Sequence, residues 1–268
     1  MIQEATADQQ KNDSTIYLLW TGGWDSTFRL LQLSELHRTV QPVYVRYPGR
    51  YSASTEEATM KKLLERIRAL PATTATIKDV LVLRYEDLKP MKEVTEAYES
   101  VNRRAPCGPQ YEYLSRLSYS YPGIEIGIEP GEGLIDDALG KNVSRMLHIV
   151  EDEEYSYYLI DPEVVGEDMY VFFKNFRLPI YDTSRDKMIE ISKTRDGWMD
   201  ILNATWFCHY PANGKPCGSC VPCQIVVEDG LGYRLDEEAM KRYRFQKKYE
   251  DTFWYPLYKK FRRKFLRY

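Results

Sequence analysis

Short apolar runs alternate with stretches of helical period along the first half of the chain. Residues 16–20 (IYLLW) form a short apolar run closed by a glycine pair, which predicts a buried strand. Beyond the glycines, Thr27, Leu30 and Leu31 fall at i, i+3 and i+4, one face of a helix. Residues 42–47 (PVYVRY) predict a second strand. A helix is expected over 54–70, where Ser54 followed by Glu57 has the spacing of a capping box. Residues 78–84 predict a third strand, 90–104 and 111–121 two helices, and 124–128 a fourth strand. Further on the pattern weakens. One or two strands are expected within 171–181, a helix at 186–193, and an irregular lobe over the Cys-, Gly- and Pro-rich stretch 205–232. No internal repeat is visible.

Strands alternating with helices predict an α/β fold, a parallel sheet with helices on both faces. Ligands in such folds bind beyond the carboxyl ends of the strands. The boundaries read from the chain are a disordered tail at 1–14, an α/β domain at 15–200, a cysteine lobe at 201–235 and a basic, aromatic helical extension at 236–268.

Composition changes this picture in three places. The 268 residues, 43% hydrophobic and 29% charged, exclude a disordered or collagen-like chain. No apolar run is long enough for a transmembrane helix, and the polar first 14 residues lack the apolar region of a secretory signal, so a cytoplasmic protein without membrane attachment is expected. The net charge of −3 conceals an asymmetry: residues 241–268 carry 11 Lys/Arg, 2 Asp/Glu and 10 aromatics, while 125–168 carry 13 carboxylates against two basic residues. Such a tail suits nucleic acid, another polyanion or a partner protein. It equally suits a segment that packs its rings on the body and turns its charges to water.

The first chemical signal is Trp20-Thr21-Gly22-Gly23-Trp24-Asp25-Ser26-Thr27. It follows a strand and opens a helix. Two glycines allow a sharp turn, and the N–H groups with the helix dipole favour an anion. Asp25 is unusual in a phosphate loop and suits a bound cation or a role in fixing the loop. The Walker pattern and GxGxxG are both absent. A structural turn capped by Asp25 or Ser26 would use the same residues.

The second signal is Cys208, Cys217, Cys220 and Cys223, spaced C-x8-C-x2-C-x2-C. Four thiolates at this spacing suit a closed tetrahedral zinc site, which is structural rather than catalytic. An iron–sulfur cluster is the competing reading. His209 reads as a flanking surface residue, and Cys107 as a buried or loop thiol.

The loop resembles the S-G-G-x-D-S motif of the PP-loop ATP pyrophosphatases, with Thr21 in place of the first serine. Combined with the cysteine spacing, the chain from about 16 to 235 is similar to the 7-cyano-7-deazaguanine synthase family of queuosine biosynthesis. Thr205-Trp206-Phe207-Cys208 stands where that family has T-x-S-C, and Pro179-Ile180 with Ser184-Arg185-Asp186-Lys187-Met188 where it has P-L and T-K-x-x-I. Three segments depart from its pattern: Tyr47-Pro48-Gly49-Arg50-Tyr51-Ser52, Pro106-Cys107-Gly108-Pro109-Gln110-Tyr111, and the run from Glu129 to Asp136.

The resemblance implies a Rossmann-like adenine nucleotide hydrolase fold with ATP, Mg2+ and Zn2+ as cofactors. It implies an enzyme, an ATP-dependent carbon–nitrogen ligase that adenylates a small-molecule carboxylate for attack by ammonia, and commonly a homodimer. The expected catalytic residues are Asp25, Ser26 and Arg185, the nucleotide loop is 20–27, and weaker substrate candidates are Arg46, Arg50, Glu129 and Glu132. The changed segments imply a divergent substrate. The alternative is a PP-loop enzyme that modifies a nucleic acid or a protein terminus, and a third reading is a catalytically silent nucleotide-binding module.

Overall fold

The computed structural model describes residues 15–104, 107–129, 146–152 and 154–265. The expected disordered tail at 1–14 lies outside them, as does Glu132. The central sheet uses β1 (Thr15–Leu19), β2 (Thr39–Arg46), β3 (Thr76–Ile77), β4 (Leu81–Arg84), β5 (Ile124–Glu125) and β8 (Phe176–Arg177). Its order is β3-β2-β1-β5-β8, with β4 also on β2, and every one of these pairings is parallel. The chain is thus α/β with helices packed on the sheet.

Alternation along β1 builds two cores. Ile16, Leu18 and Trp20 face a cluster shared with α1 (Trp24–Ser34), α2 (Ala53–Arg68) and the four lobe cysteines. Leu19, with Val43 and Val45 of β2, faces a second cluster that includes residues of α3 (Lys92–Arg104), α4 (Gln110–Ser118) and α5 (Glu167–Phe173). Between the faces lies a buried bidentate pair. Arg29 Nε and Nη2 donate to Glu125 at 2.7 and 2.9 Å, tying α1 to β5, and Tyr155 stacks on the guanidinium.

The strand expected at 78–84 is shorter, β4 at Leu81–Arg84, and a separate β3 precedes it at Thr76–Ile77. Pro42 explains the gap. The Val40 carbonyl accepts from Lys78 N–H and the Val43 carbonyl from Trp20 N–H, so alternation turns Pro42 toward the gap, where it has no N–H to give. The Gln41 side-chain amide donates instead to the Asp79 carbonyl at 2.8 Å. Helix α2 begins at Ala53 with Ser52 as N-cap, two residues earlier than the expected Ser54 cap; Ser52 Oγ donates to the Glu56 carboxylate at 2.7 Å. Of the stretch 171–181, where one or two strands are expected, 171–173 is the end of α5 and only Phe176–Arg177 is a strand, β8. Gly166 and the acidic Glu167 and Asp168 start that helix, and its Val and Phe side chains face the core. The antiparallel hairpin β6 (Leu147–Glu151) and β7 (Ser156–Ile160) joins β8 through a bridge between Tyr158 and Leu178. Two more helices follow, α6 (Arg185–Lys193) and α7 (Trp198–Asn203). The lobe ends in α8 (Val221–Val226), and the extension forms α9 (Glu237–Tyr249) and α10 (Tyr255–Phe265). No helix among the described residues is long and apolar enough to cross a membrane.

Candidate functional site

Neighbouring strands leave β1 in opposite directions, β2 on one side and β5 on the other, so the loop after β1 sits where the strand order reverses. Gly22 takes a left-handed φ of 71°, and a methyl there would stand 3.0 Å from Met60 Cγ, so glycine is required. Gly23 is the N-cap of α1 and no side chain caps the helix. The first-turn N–H groups of Trp24, Asp25 and Ser26 therefore lack intrahelical acceptors, the arrangement by which a helix N-terminus can accept an anion. Gly127, just past β5, makes this possible from the other side: a methyl on it would lie 3.2 Å from Ser26 N.

Beside the loop is a cavity of about 330 Å3 lined by the ends of β1, β2 and the run after β5. Thr21, Asp25, Ser26, Arg50, Gln110 and Tyr113 contribute to its wall. A second recess of about 300 Å3 shares Arg50, Gln110, Tyr113 and His209 with it and adds Tyr47, Tyr51 and Tyr210. Two of the three segments that depart from the family pattern, 47–52 and 107–111, thus supply walls of these spaces. No spacing rule pointed to Tyr113 or Gly127, because their role depends on long-range packing of α4 and β5.

The sequence candidates divide by position. Thr27 is fully buried and accepts a hydrogen bond from Trp20 Nε1 at 2.9 Å, which places its hydroxyl behind the loop rather than in the cavity, contrary to a cradling role. Arg46 is exposed and paired with Glu57, away from the cavity wall. Arg50 lies in the wall, with Nε 2.8 Å from Glu56, whose carboxylate also accepts from Tyr44 and Ser52. A buried carboxylate thus aims this guanidinium.

Arg185, Asp25 and Glu129 come together. Ser184 caps α6, so Arg185 opens the helix and reaches across to the loop. Its Nη2 lies 2.6 Å from Glu129 and 3.1 Å from Asp25. Burial, then the neighbouring Asp25, push the Glu129 carboxyl up to about 8 against the pull of Arg185. On the far side, Trp24 is flanked by Arg185 and Arg234, at 5.6 and 5.4 Å from its ring. Arg234, not marked by any motif, also bonds Thr205 at 2.8 Å, and burial lowers it to about 10.

The four cysteines converge. All are buried, and their sulfurs lie within 4.8 Å of one another. Measured separations are 3.4 Å for Cys220–Cys223 and 3.9 Å for Cys217–Cys223 and Cys208–Cys220. Tetrahedral Zn–S bonds of ~2.3 Å require sulfurs about 3.8 Å apart. The donor set and its spacing fit a metal such as zinc. Backbone N–H groups of Cys217 and Cys220 point at Cys208 and Cys217 sulfurs, at 3.1 and 3.3 Å, as stabilised thiolates require. His209 is outside the ligand group and lines both cavities instead.

The lobe touches the loop directly. Trp206 N–H donates to the Gly22 carbonyl at 2.9 Å, and Trp206 Nε1 to the Cys208 carbonyl at 2.7 Å. No protein-family model matches this chain, and no curated protein matches it.

Proposed function

We propose that this chain is an ATP-dependent carbon–nitrogen ligase of the PP-loop type, with a Rossmann-like fold and similar to 7-cyano-7-deazaguanine synthase. The observation that carries the reading is the Thr21–Ser26 loop at the sheet's reversal point, with open helix N–H groups and a cavity of about 330 Å3 beside it. The backbone after Gly22 and the Ser26 hydroxyl would receive the phosphates. Asp25, and Glu129 once it gives up its proton, are hard oxygen donors suited to Mg2+, which when bound would neutralise phosphate charge. Arg185, held between these carboxylates, is the cation for the departing pyrophosphate.

In this scheme a carboxylate oxygen of the substrate attacks the α-phosphorus of ATP and pyrophosphate leaves. Ammonia then attacks the acyl carbon and AMP departs, giving an amide. The protein's own contribution is to align the reactants and neutralise developing charge. Arg50 and the tyrosine-lined recess form the acid's side of the site. Their departure from the family's segments supports a substrate other than the family's own.

The test is a reaction of the purified chain with magnesium-ATP, ammonium and 7-carboxy-7-deazaguanine, followed by mass spectrometry of product and nucleotide. AMP formation that depends on an added acid supports the reading. Tight ATP binding without AMP moves the search to other acids. No ATP binding overturns it.

A further inference from the structure

Three arginines turned inward come with their counter-charge. Arg29 holds Glu125 at 2.7 Å, Arg50 holds Glu56 at 2.8 Å and Arg116 holds Glu112 at 3.0 Å. Arg185 has three carboxylates around it, Glu129 at 2.6 Å, Asp25 at 3.1 Å and Asp229 at 3.9 Å. Arg234 differs. It is half-buried, and no carboxylate among the described residues pairs with it. Its Nη2 donates to the carbonyl and hydroxyl of Thr205, while its Nε is buried without a partner. Rings hold it in place of charge: the guanidinium lies 4.7 Å from the centre of Phe207 and 5.4 Å from that of Trp24.

Trp24, which both Arg185 and Arg234 approach, adds a second unmatched donor. It is 5% exposed, and its Nε1–H is buried with no acceptor. Buried polar groups of a folded protein are nearly always paired. Two unmatched donors beside a cation with no counter-ion mark a place short of negative charge. That place lies against the glycine loop. Thr205, which Arg234 holds, precedes Trp206, whose N–H donates to the Gly22 carbonyl at 2.9 Å. Trp24 itself opens α1, whose N–H groups no side chain caps.

We propose that Arg234 is a phosphate-binding residue, taking the terminal phosphate of a nucleoside triphosphate whose nearer phosphates lie on the loop, and holding pyrophosphate once it has left. The proposal rests on the reading of the loop as a nucleotide site. Neither Arg185 nor Arg234 lines the cavity beside the loop, so a nucleotide seated there meets them with the far end of its phosphate chain. Charge then divides their work. The charge of Arg185 is balanced by carboxylates before any ligand arrives; that of Arg234 is not, so Arg234 supplies the net attraction. A terminal phosphate brings three acceptor oxygens, which suits donors from more than one side chain. A guanidinium already fixed between two rings loses little further freedom on binding it.

The experiment is calorimetric titration of the full chain with magnesium-ATP, AMP and inorganic pyrophosphate. The parent should prefer ATP to AMP by at least about tenfold. Arg234→Met, which keeps an apolar stem between the rings, should lose about tenfold for ATP and for pyrophosphate with AMP affinity unchanged. Arg234→Lys keeps the charge without the fork and should lose about threefold for ATP relative to AMP, and less at low salt. If Arg234→Met fails to fold, the lysine variant decides, and an unchanged ratio of ATP to AMP affinity overturns the proposal. A role confined to packing would move AMP together with ATP. Equal losses for the two nucleotides, or ATP and pyrophosphate affinities that Arg234→Met leaves unchanged, overturn the proposal and leave the nucleotide reading standing. A parent that binds neither ATP nor AMP overturns that reading and this proposal with it.

Discussion

Glu129 holds its proton because it has almost no water and a second carboxylate beside it. Its exposure is 5%, and the folded protein keeps the acid up to about 8, whereas an ordinary glutamate titrates near 4.5. Between those values the folded state binds more protons than the unfolded chain, so this group's stabilisation is complete at low pH and is lost as pH rises through about 8. Glu129→Gln removes the ionisation. The variant should gain on the parent by a few degrees in Tm as pH is raised from about 5 to about 8. Thermal denaturation across that range checks it. A constant difference between the two proteins would mean that Glu129 is already ionised beside Arg185.

At the scale of elements, close approaches decide what can change. Gly218 has φ +73°, and a methyl added to it would lie 2.0 Å from the Ala239 carbonyl oxygen. Gly214 has a similar φ of +75° with nothing within 4 Å. Gly218→Ala must displace either the cysteine turn or α9, and should cost about 2–4 kcal/mol and weaken the affinity of the four cysteines for an added metal. Gly214→Ala bears only the left-handed penalty of about 1 kcal/mol. Denaturant titration and a chromophoric chelator read both effects. Equal losses would show that backbone conformation, not the contact with α9, is limiting.

The same distinction explains what could be read from the sequence. β1, its glycine loop, α1 and α2 were legible because their signals are local: an apolar run, a glycine pair, a helical stripe. The cysteines were legible because their close spacing lets four thiols converge, as their sulfurs do. The hairpin β6–β7 was not, since Leu147–Glu151 has mostly exposed positions and therefore no alternation to show. Nor was α5, whose Val171, Phe172 and Phe173 favour strands in isolation and are held helical by packing against α3 and α4. In the site, Asp25 and Arg185 were marked by motif. Arg234, Gln110 and Tyr113 were not, because they reach the site through tertiary folding.

For the whole molecule, the cysteine cluster and the glycine loop are one mechanical unit. Cys208 orders Trp206 through its carbonyl, Trp206 holds Gly22, and Arg234 at the end of the lobe braces Trp24. On the proposed function, depriving the four cysteines of a metal should weaken ATP affinity by about tenfold or more and alter the near-UV circular dichroism of the tryptophans. Calorimetric titration of metal-free and reconstituted protein measures the first. If affinity is equal in protein shown to be metal-free, the lobe is a separate scaffold and the coupling is wrong.

The hydrogen bond between Trp206 and Gly22 also sets an order of events at birth. The loop leaves the ribosome early, but its partner is encoded 184 residues later, and the cysteines that fix that partner later still. A nascent chain can pair β1 with β2 long before, yet its glycine loop stays unbraced until the lobe has emerged and folded. Closure of so long a loop is slow, and the half-built sheet exposes apolar surface while it waits. Supply of a metal that the four cysteines could hold is then expected to matter more during synthesis than afterwards for how much chain folds.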